Sequence, residues 1–178
     1  MEKKLILVFG LFCFSGLARA FTNNDSLKAQ MIKEWRRSKS YTDEYLNAMP
    51  ADKFSFRAVD SIRSFAEQML HLSNGNNFYG SAATGATPPS FGPALEKRPG
   101  AQAKDSVTYY VNASYDFVIN SIEQMDAARL DEKVKIRGLE ETRLTFLMKG
   151  LEHQTHHRGQ CTIYIRLQGI RPPNERLF

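Results

Sequence analysis

The sequence predicts an all-α protein, a four-helix bundle, preceded by a signal peptide. Apolar residues recur with a helical period in four segments of twenty or more residues, and prolines and glycines fall between these segments. No internal repeat and no convincing strand pattern interrupts them. A chain of 178 residues is long enough to bury one full core. Four long helices of this kind form a bundle around that core.

Residues 1–20 are expected to be a secretory signal peptide, outside the folded domain. After a start that contains two lysines, residues 5–17 are almost wholly apolar, and residues 18–20 (Ala-Arg-Ala) form a small-x-small cleavage site. The apolar run is too short to span a bilayer. We therefore expect cleavage before Phe21, export to the periplasm or the medium, and no stable membrane anchor.

The mature chain, residues 21–178, is expected to be a single domain. Removal of the leader takes away three basic residues and one acid, and the net charge falls from +5 to +3. The remaining basic residues are scattered, whereas nucleic-acid binders carry a basic stripe with base-stacking aromatics. We expect no nucleic-acid partner. Because Cys161 is the only cysteine in this range, no internal disulfide can form and the core must stabilise the fold.

The first helix is predicted at about 25–48. Residues 23–26 offer N-cap candidates, and Pro50 ends the segment. Trp35 is expected in the core rather than in a ligand site. The helical spacing is carried by Leu27, Met31, Trp35, Tyr41, Tyr45 and Leu46.

The connector 51–60 contains Phe54 and Phe56, whose alternation is compatible with a short strand. We favour an extended connector whose two rings plug one end of the bundle. The second helix is expected to begin with Asp60 or Ser61 as its cap. Its apolar stripe consists of Ile62, Phe65, Met69 and Leu72, with Phe78 and Tyr79 near its end.

Residues 81–104 are expected to form a long loop without helix, because four of the seven prolines lie there. Such loops are either mobile surface, the simpler interpretation, or functional lids. The third helix is predicted at about 105–126, followed by a polar, mixed stretch at 127–139. The fourth is predicted at about 140–169; residues 162–165 have strand-like propensity, but their flanking pattern favours helix.

Three of the four histidines lie in the fourth helix, and the remaining one, His71, lies in the second. His153 and His157 are four residues apart, so they lie on one helix face and can bind one divalent metal. If the second and fourth helices are neighbours, His71 can join them. Three imidazoles and an open position are the ligand set of a catalytic zinc site. The alternative is that His71 is an ordinary core histidine and the others lie on the surface.

The sequence also suggests roles for four residues close to the histidine pair. His156 is about 100° from His157 around the helix, so we expect it on the surface or outside the ligand set. Cys161 is expected to be a small buried residue rather than a fourth ligand. Gly159 costs a helix about 1 kcal/mol against alanine, which suggests a close approach by backbone or ligand. Gln160 is a candidate hydrogen-bond partner of a ligand histidine.

Other catalytic and metal motifs are missing from the sequence. There is no H-E-x-x-H, no C-x-x-C-H and no pair of Glu-x-x-His motifs of the di-iron bundles. No Ser/His/Asp arrangement and no glycine-rich phosphate loop is visible. The metal hypothesis therefore depends on the histidines alone, and imidazole suits several divalent metals.

Residues 153–160 (His-Gln-Thr-His-His-Arg-Gly-Gln) and 164–173 resemble the last helix of the DinB/YfiT-like superfamily, and residues 63–71 resemble its second helix. The resemblance implies a four-helix bundle in which three histidines hold a divalent metal, most often zinc or nickel. It assigns the ligands to His71, His153 and His157. It also implies a homodimer.

Members of that superfamily include thiol-dependent S-transferases, a maleylpyruvate isomerase and proteins described as metal-dependent hydrolases. Low-molecular-weight thiols are cytosolic reagents, so the signal peptide favours a hydrolase that uses a metal-bound water on an unknown small molecule. Glu67, one turn before His71, is a weak candidate for the general base. The alternatives are a thiol S-transferase and a non-catalytic metal-binding or scaffold bundle. An open site beside the loop 81–104 would favour an enzyme, and a fourth ligand such as Cys161 a structural role.

Overall fold

The computed structural model describes residues 23–178, so the expected signal peptide and its cleavage site lie outside the described residues. The fold is an all-α bundle with one small hairpin, which confirms the predicted class. Its elements are the helices α1 (Asn23–Ala48), α2 (Phe65–Thr84), α3 (Lys104–Gln124) and α4 (Arg143–Leu167), and the strands β1 (Lys133–Ile136) and β2 (Leu139–Thr142). Within the described range, no helix combines the length and the apolar character that crossing a membrane requires.

Helix α2 is the central element of the bundle, because it packs extensively against both α4 and α3. Helix α1 closes the other side against α3 and α4. Trp35 is fully buried, as predicted, and packs edge-on against Tyr115 with ring centroids 6.0 Å apart. Since α2 and α4 are neighbours, side chains on their facing surfaces can meet.

The connector between α1 and α2 closes one end of the bundle. A 3₁₀ turn at Ala51–Lys53 places Phe54 in the core, where its ring packs against Phe65 at 5.0 Å. Phe56 packs against Tyr164 at 6.2 Å. These contacts agree with the predicted plugging role of the two rings.

The predicted start of α2 was wrong by several residues. Ser64, not Asp60 or Ser61, is the N-cap: its Oγ accepts a hydrogen bond from the backbone N–H of Glu67 at 3.2 Å. The Glu67 carboxylate in turn accepts one from the N–H of Ser64 at 2.8 Å. This reciprocal capping box satisfies two backbone donors that the helix itself leaves unpaired, which fixes the first turn at Phe65.

The expectation of no strand was wrong between α3 and α4. Strands β1 and β2 pair antiparallel, with Lys133 opposite Thr142 and Ile136 opposite Leu139. The two loop residues, Arg137 and Gly138, both have positive φ (52° and 84°), which is the backbone of a type I′ turn. The hairpin displaces the start of α4 from about 140 to Arg143, with Thr142 as its N-cap.

The loop predicted at 81–104 is shorter and better anchored than expected. Helix α2 continues to Thr84, and Lys104 already belongs to α3. Between them the chain forms two 3₁₀ turns, at Leu95–Lys97 and Pro99–Ala101. Leu95 and Ala101 are buried in the core. This anchoring argues against the simpler interpretation of a freely mobile surface loop.

Candidate metal centre

The structure brings the three predicted ligands together where α2 faces α4. His71 lies on α2, and His153 and His157 lie one turn apart on α4. One ring nitrogen of each lies within 4.8 Å of the others. The ring centroids of His71 are 4.7 Å from His157 and 5.3 Å from His153. Among residues 23–178, these three histidines form the cluster of potential ligands that could hold a metal ion.

Gly75 makes room for this arrangement. It lies one turn after His71 on α2, and a Cβ at this position would overlap Cε1 and Nδ1 of His153. The third ring atom, Nε2, would lie 3.1 Å from that Cβ. Only a residue without a side chain lets α4 place His153 here. A glycine in a helix interior carries a stability cost, so its presence at this contact indicates a packing requirement.

The two candidate ligands on α4, His153 and His157, are held in the neutral form. Burial, together with the charge of His71, lowers the pKa of His153 to about 4. Burial likewise lowers the pKa of His157 to about 3, with His153 and His71 acting in the same direction. Neutral imidazole is the form that binds a metal, since one nitrogen keeps its lone pair.

The spacing of the two nitrogens fits a shared ion. Nε2 of His153 and Nε2 of His157 are 3.1 Å apart. Two nitrogens bound to one tetrahedral zinc at roughly 2.0–2.1 Å would be about 3.3 Å apart. The donor set and its spacing therefore fit a divalent metal.

Acceptor groups fix the orientation of two of the rings. Nδ1 of His71 lies 2.6 Å from Oε1 of Glu96, and Nδ1 of His157 lies 2.7 Å from Oε1 of Gln68. Ionised carboxylate and amide oxygens only accept, so each Nδ1 carries the proton and donates it. Nε2 of each ring is then left with its lone pair. Partners of this kind orient metal-binding histidines and raise their basicity. Nδ1 of His153 is buried without a hydrogen-bond partner among residues 23–178.

Glu96 was not predicted from the sequence, because it lies in the loop between α2 and α3. Its Oε2 accepts a hydrogen bond from Nε of Arg63 at 2.8 Å, and Nδ2 of Asn74 donates to Oε1 at 3.3 Å. Burial would raise the pKa of Glu96, but the hydrogen bonds from Arg63 and His71 outweigh it and hold the pKa below its usual value. Glu96 is therefore ionised beside His71. The sequence feature that could have pointed to Glu96 is an isolated acidic residue in a segment rich in proline and glycine.

Gln160 acts one step further from the ligands than predicted. It does not contact a ligand histidine directly; its Oε1 accepts a hydrogen bond from Nε2 of Gln68, the residue that holds His157. Its own amide lies 2.7 Å from Nε2 of His156, which is exposed and outside the cluster, as expected. The chain Gln160–Gln68–His157 therefore links the motif of α4 to α2.

The weak catalytic candidate, Glu67, is committed to other partners. Besides the capping box, its carboxylate accepts from Arg57 and Lys97, both at 2.9 Å. Burial would raise its pKa, but the backbone of Ser64, Lys97 and Arg57 lower it overall. Among the described residues, no hydrogen bond joins Glu67 to a histidine.

The other two neighbours are settled by burial and space. Cys161 is fully buried and does not belong to the group that could hold a metal, which agrees with the simpler prediction. Burial also raises the pKa of its thiol strongly. No described atom lies within 4 Å of a Cβ built at Gly159, so the expected close approach is not found in this part of the chain.

A cavity of about 410 Å³ lies beside two residues that orient ligand rings, while His71, His153 and His157 are not among its lining residues. Gln68 and Glu96, the partners of two ligand histidines, form part of its wall. The other side chains that matter for its charge are Arg57, Arg63, Lys97 and Asp60. Gln68 and Glu96 therefore lie between this polar space and the histidines, and the segment between α2 and α3 bounds it.

Fold and site together define the class: a four-helix bundle with a histidine triad between two of its helices. A scan against protein families matches residues 21–176 to the DinB family, and the chain belongs to that family. A search of curated proteins finds no match.

Solved structures support the same fold. A DinB-like protein from Bacillus cereus superposes with a TM-score of 0.72 at 17% identity, covering 83% of this chain and 97% of that one. A DinB-like protein from Bacillus subtilis gives 0.62 at 16%, with coverages of 84% and 96%. A conserved protein from Enterococcus faecalis gives 0.60 at 15%, with coverages of 79% and 95%.

Proposed function

We propose that this DinB-family chain is an exported metal-dependent hydrolase. His71, His153 and His157 would hold one zinc or nickel ion. The observation that carries the proposal is the convergence of three ring nitrogens within 4.8 Å at the interface of α2 and α4. Two of these rings are neutral and two are oriented by acceptors on Nδ1.

The ligand set favours an open coordination position over a closed structural site. Structural zinc sites have four protein ligands, whereas catalytic sites have three. Cys161, the alternative fourth ligand, is not part of the described cluster. When bound with a position free, such a metal lowers the pKa of water toward neutrality.

The chain's own residues supply orientation and a substrate space. Glu96 holds the ring of His71, and Gln68 holds that of His157. The cavity of about 410 Å³ is lined by both of them and by charged side chains rather than by the histidines, so we propose it as the space for the polar part of a small substrate. Glu67 caps the first turn of α2 and pairs with Arg57 and Lys97, so we do not assign it the role of general base.

Elemental analysis of the mature protein, purified without a histidine tag, tests the metal site. We expect about one metal per chain in the wild type and loss of that metal in His153→Ala and His157→Ala. His156→Ala is the matched control, because His156 is exposed on the same helix. A wild-type protein that stays metal-free after incubation with zinc and with nickel would refute the proposal.

Hydrolysis is tested separately on the loaded protein. A panel of small esters, amides and lactones should include a substrate whose turnover needs the metal and is lost in His157→Ala. A metal-replete protein that turns over none of them, but transfers a thiol to an electrophile, would assign the transferase function instead.

Export is part of this proposal because residues 1–20 have the charge, apolar run and cleavage motif of a signal peptide. The mass of the secreted or periplasmic protein should correspond to a chain that begins at Phe21. An intact Met1 in the soluble cell fraction would contradict it.

A further inference from the structure

A second cavity, of about 350 Å³, lies on the side of α4 that faces away from the histidines. Thr162 and Arg166 line it and are about 140° and 180° from His157 around the helix. Helix α1 contributes Tyr41 and Tyr45, and the segment after α4 covers the cavity from outside. We propose that this cavity binds a small oxyanion, a carboxylate or a phosphate, with Arg158 as its anchor.

Arg158 is a buried cation without a matching acid. It is 4% exposed, and its guanidinium donates to three hydroxyls: Thr42 at 3.1 Å, Tyr115 at 3.3 Å and Thr155 at 3.2 Å. Its Nε is buried and has no hydrogen-bond partner within residues 23–178. No carboxylate in that range forms an ion pair with it. Its Cζ also lies 5.2 Å from the centre of the Tyr41 ring, a cation–π contact that carries no negative charge. Buried charges are normally paired, so this guanidinium is suited to an anion from outside the chain.

The remaining charges of the cavity wall also favour an anion. Arg37 is balanced by Glu34, which binds its Nε at 2.9 Å. That leaves Arg158 and Arg166 against one lining acid, Glu175. Glu175 lines the cavity, so an anion bound there must displace it or lie beside it. Without a ligand, these side chains of the cavity wall carry a net charge of +1.

Hydroxyl groups complete the donor set. Tyr45 and Thr162 share a hydrogen bond of 2.8 Å, and the Tyr41 hydroxyl lies 3.3 Å from that of Tyr45. Burial raises the pKa of Tyr41 to about 12, so Tyr41 keeps its proton and can donate. A planar guanidinium with nearby hydroxyls matches the oxygens of a carboxylate or phosphate. The volume lies at the lower end of small-molecule sites, which limits the ligand to a compact one.

Calorimetric titration of the full mature chain with inorganic phosphate, and separately with acetate, tests the site. We expect saturable binding of at least one of them, weakened tenfold or more in Arg166→Gln. Arg166 is exposed, so this variant should fold. Arg158→Gln should abolish binding, provided that its circular dichroism is native; otherwise Arg166→Gln decides alone. The anion that binds more tightly identifies the ligand as phosphate-like or carboxylate-like.

Two control variants establish whether the anion binds in this cavity rather than elsewhere on the protein. Arg36→Gln makes the same charge change on an exposed residue of α1 that does not line the cavity, and it should bind as the wild type does. His153→Ala should also bind normally, because the proposal does not depend on the metal site. Absence of saturable binding, equal binding in Arg166→Gln, or loss of binding in His153→Ala would each overturn the proposal.

Discussion

Replacement of Gly75 by alanine should abolish metal binding without unfolding the protein. The new methyl group would overlap Cε1 and Nδ1 of His153. Favourable contacts between carbon atoms lie at roughly 3.5–4.0 Å, so the His153 ring would have to move by about 1 Å or more. Metal sites tolerate ligand shifts of only about 0.2 Å. His153 would therefore leave the ligand set, and the metal would be lost as in His153→Ala.

The folding stability of Gly75→Ala should be unchanged or slightly increased, although metal binding is lost. Alanine is favoured over glycine in a helix interior by about 1 kcal/mol. The clash is with a half-buried side chain rather than with backbone, so the ring can swing aside. We expect the metal-free variant to be as stable as the metal-free wild type, or up to about 1 kcal/mol more stable. Urea denaturation in the presence of a chelator measures this difference.

Gly159→Ala is the matched control on α4. No described atom lies within 4 Å of its new Cβ, so it gains the same helix propensity and should keep its metal. A Gly75→Ala protein that binds metal as tightly as the wild type would show that His153 is not a ligand. A Gly75→Ala protein that loses both the metal and a large part of its free energy of unfolding would show that the helices separate. That result would refute a displacement confined to the His153 ring.

Three further predictions concern residues around the site. Glu96→Gln should weaken metal binding about 10- to 100-fold in a chelator competition, because His71 loses its charged acceptor; Glu132→Gln, at an exposed acid, should not, and equal affinities would deny Glu96 this role. Glu67 has a lowered pKa, so its ion pairs stabilise the fold above pH 4.5 and are lost as the pH falls below that value. Glu67→Gln should therefore be less stable than the wild type at neutral pH and should lose less stability on acidification. Urea denaturation at several pH values measures this, and a parallel loss of stability in both proteins would contradict it. Cys161 should not react with a thiol reagent until the protein is denatured, because the thiol is fully buried and its pKa is raised; rapid labelling of the native protein would disprove that burial.

The sequence was sufficient for the parts of the molecule that depend on periodicity. The helical spacing around Trp35 predicted α1, and the four-residue spacing of His153 and His157 predicted a shared face. The meeting of these residues with His71 required α2 and α4 to be neighbours, and the bundle provides that. These features depend on local sequence or on a single contact between two helices, so the sequence is enough to predict them.

The failures have distinct physical causes. The start of α2 was missed because Asp60 and Ser61 are also good caps, and only the pairing of Ser64 with Glu67 three residues later distinguishes the true one. The hairpin depends on two left-handed residues, Arg137 and Gly138, and arginine is an uncommon residue in that conformation. Glu96 reaches His71 only because Leu95 anchors its segment in the core, a contact between distant parts of the chain that no short pattern encodes.

For the proposed metal site, the division of the three histidines between α2 and α4 decides when during folding an ion can be bound. About eighty residues separate His71 from His153, so an unfolded chain offers only the pair on α4 and has weak affinity for any ion. The full chelate exists only after the two helices have docked. If the chain is exported before it folds, as proposed, it would take its ion from the compartment in which it folds, and the cytosolic supply would not decide which ion it carries.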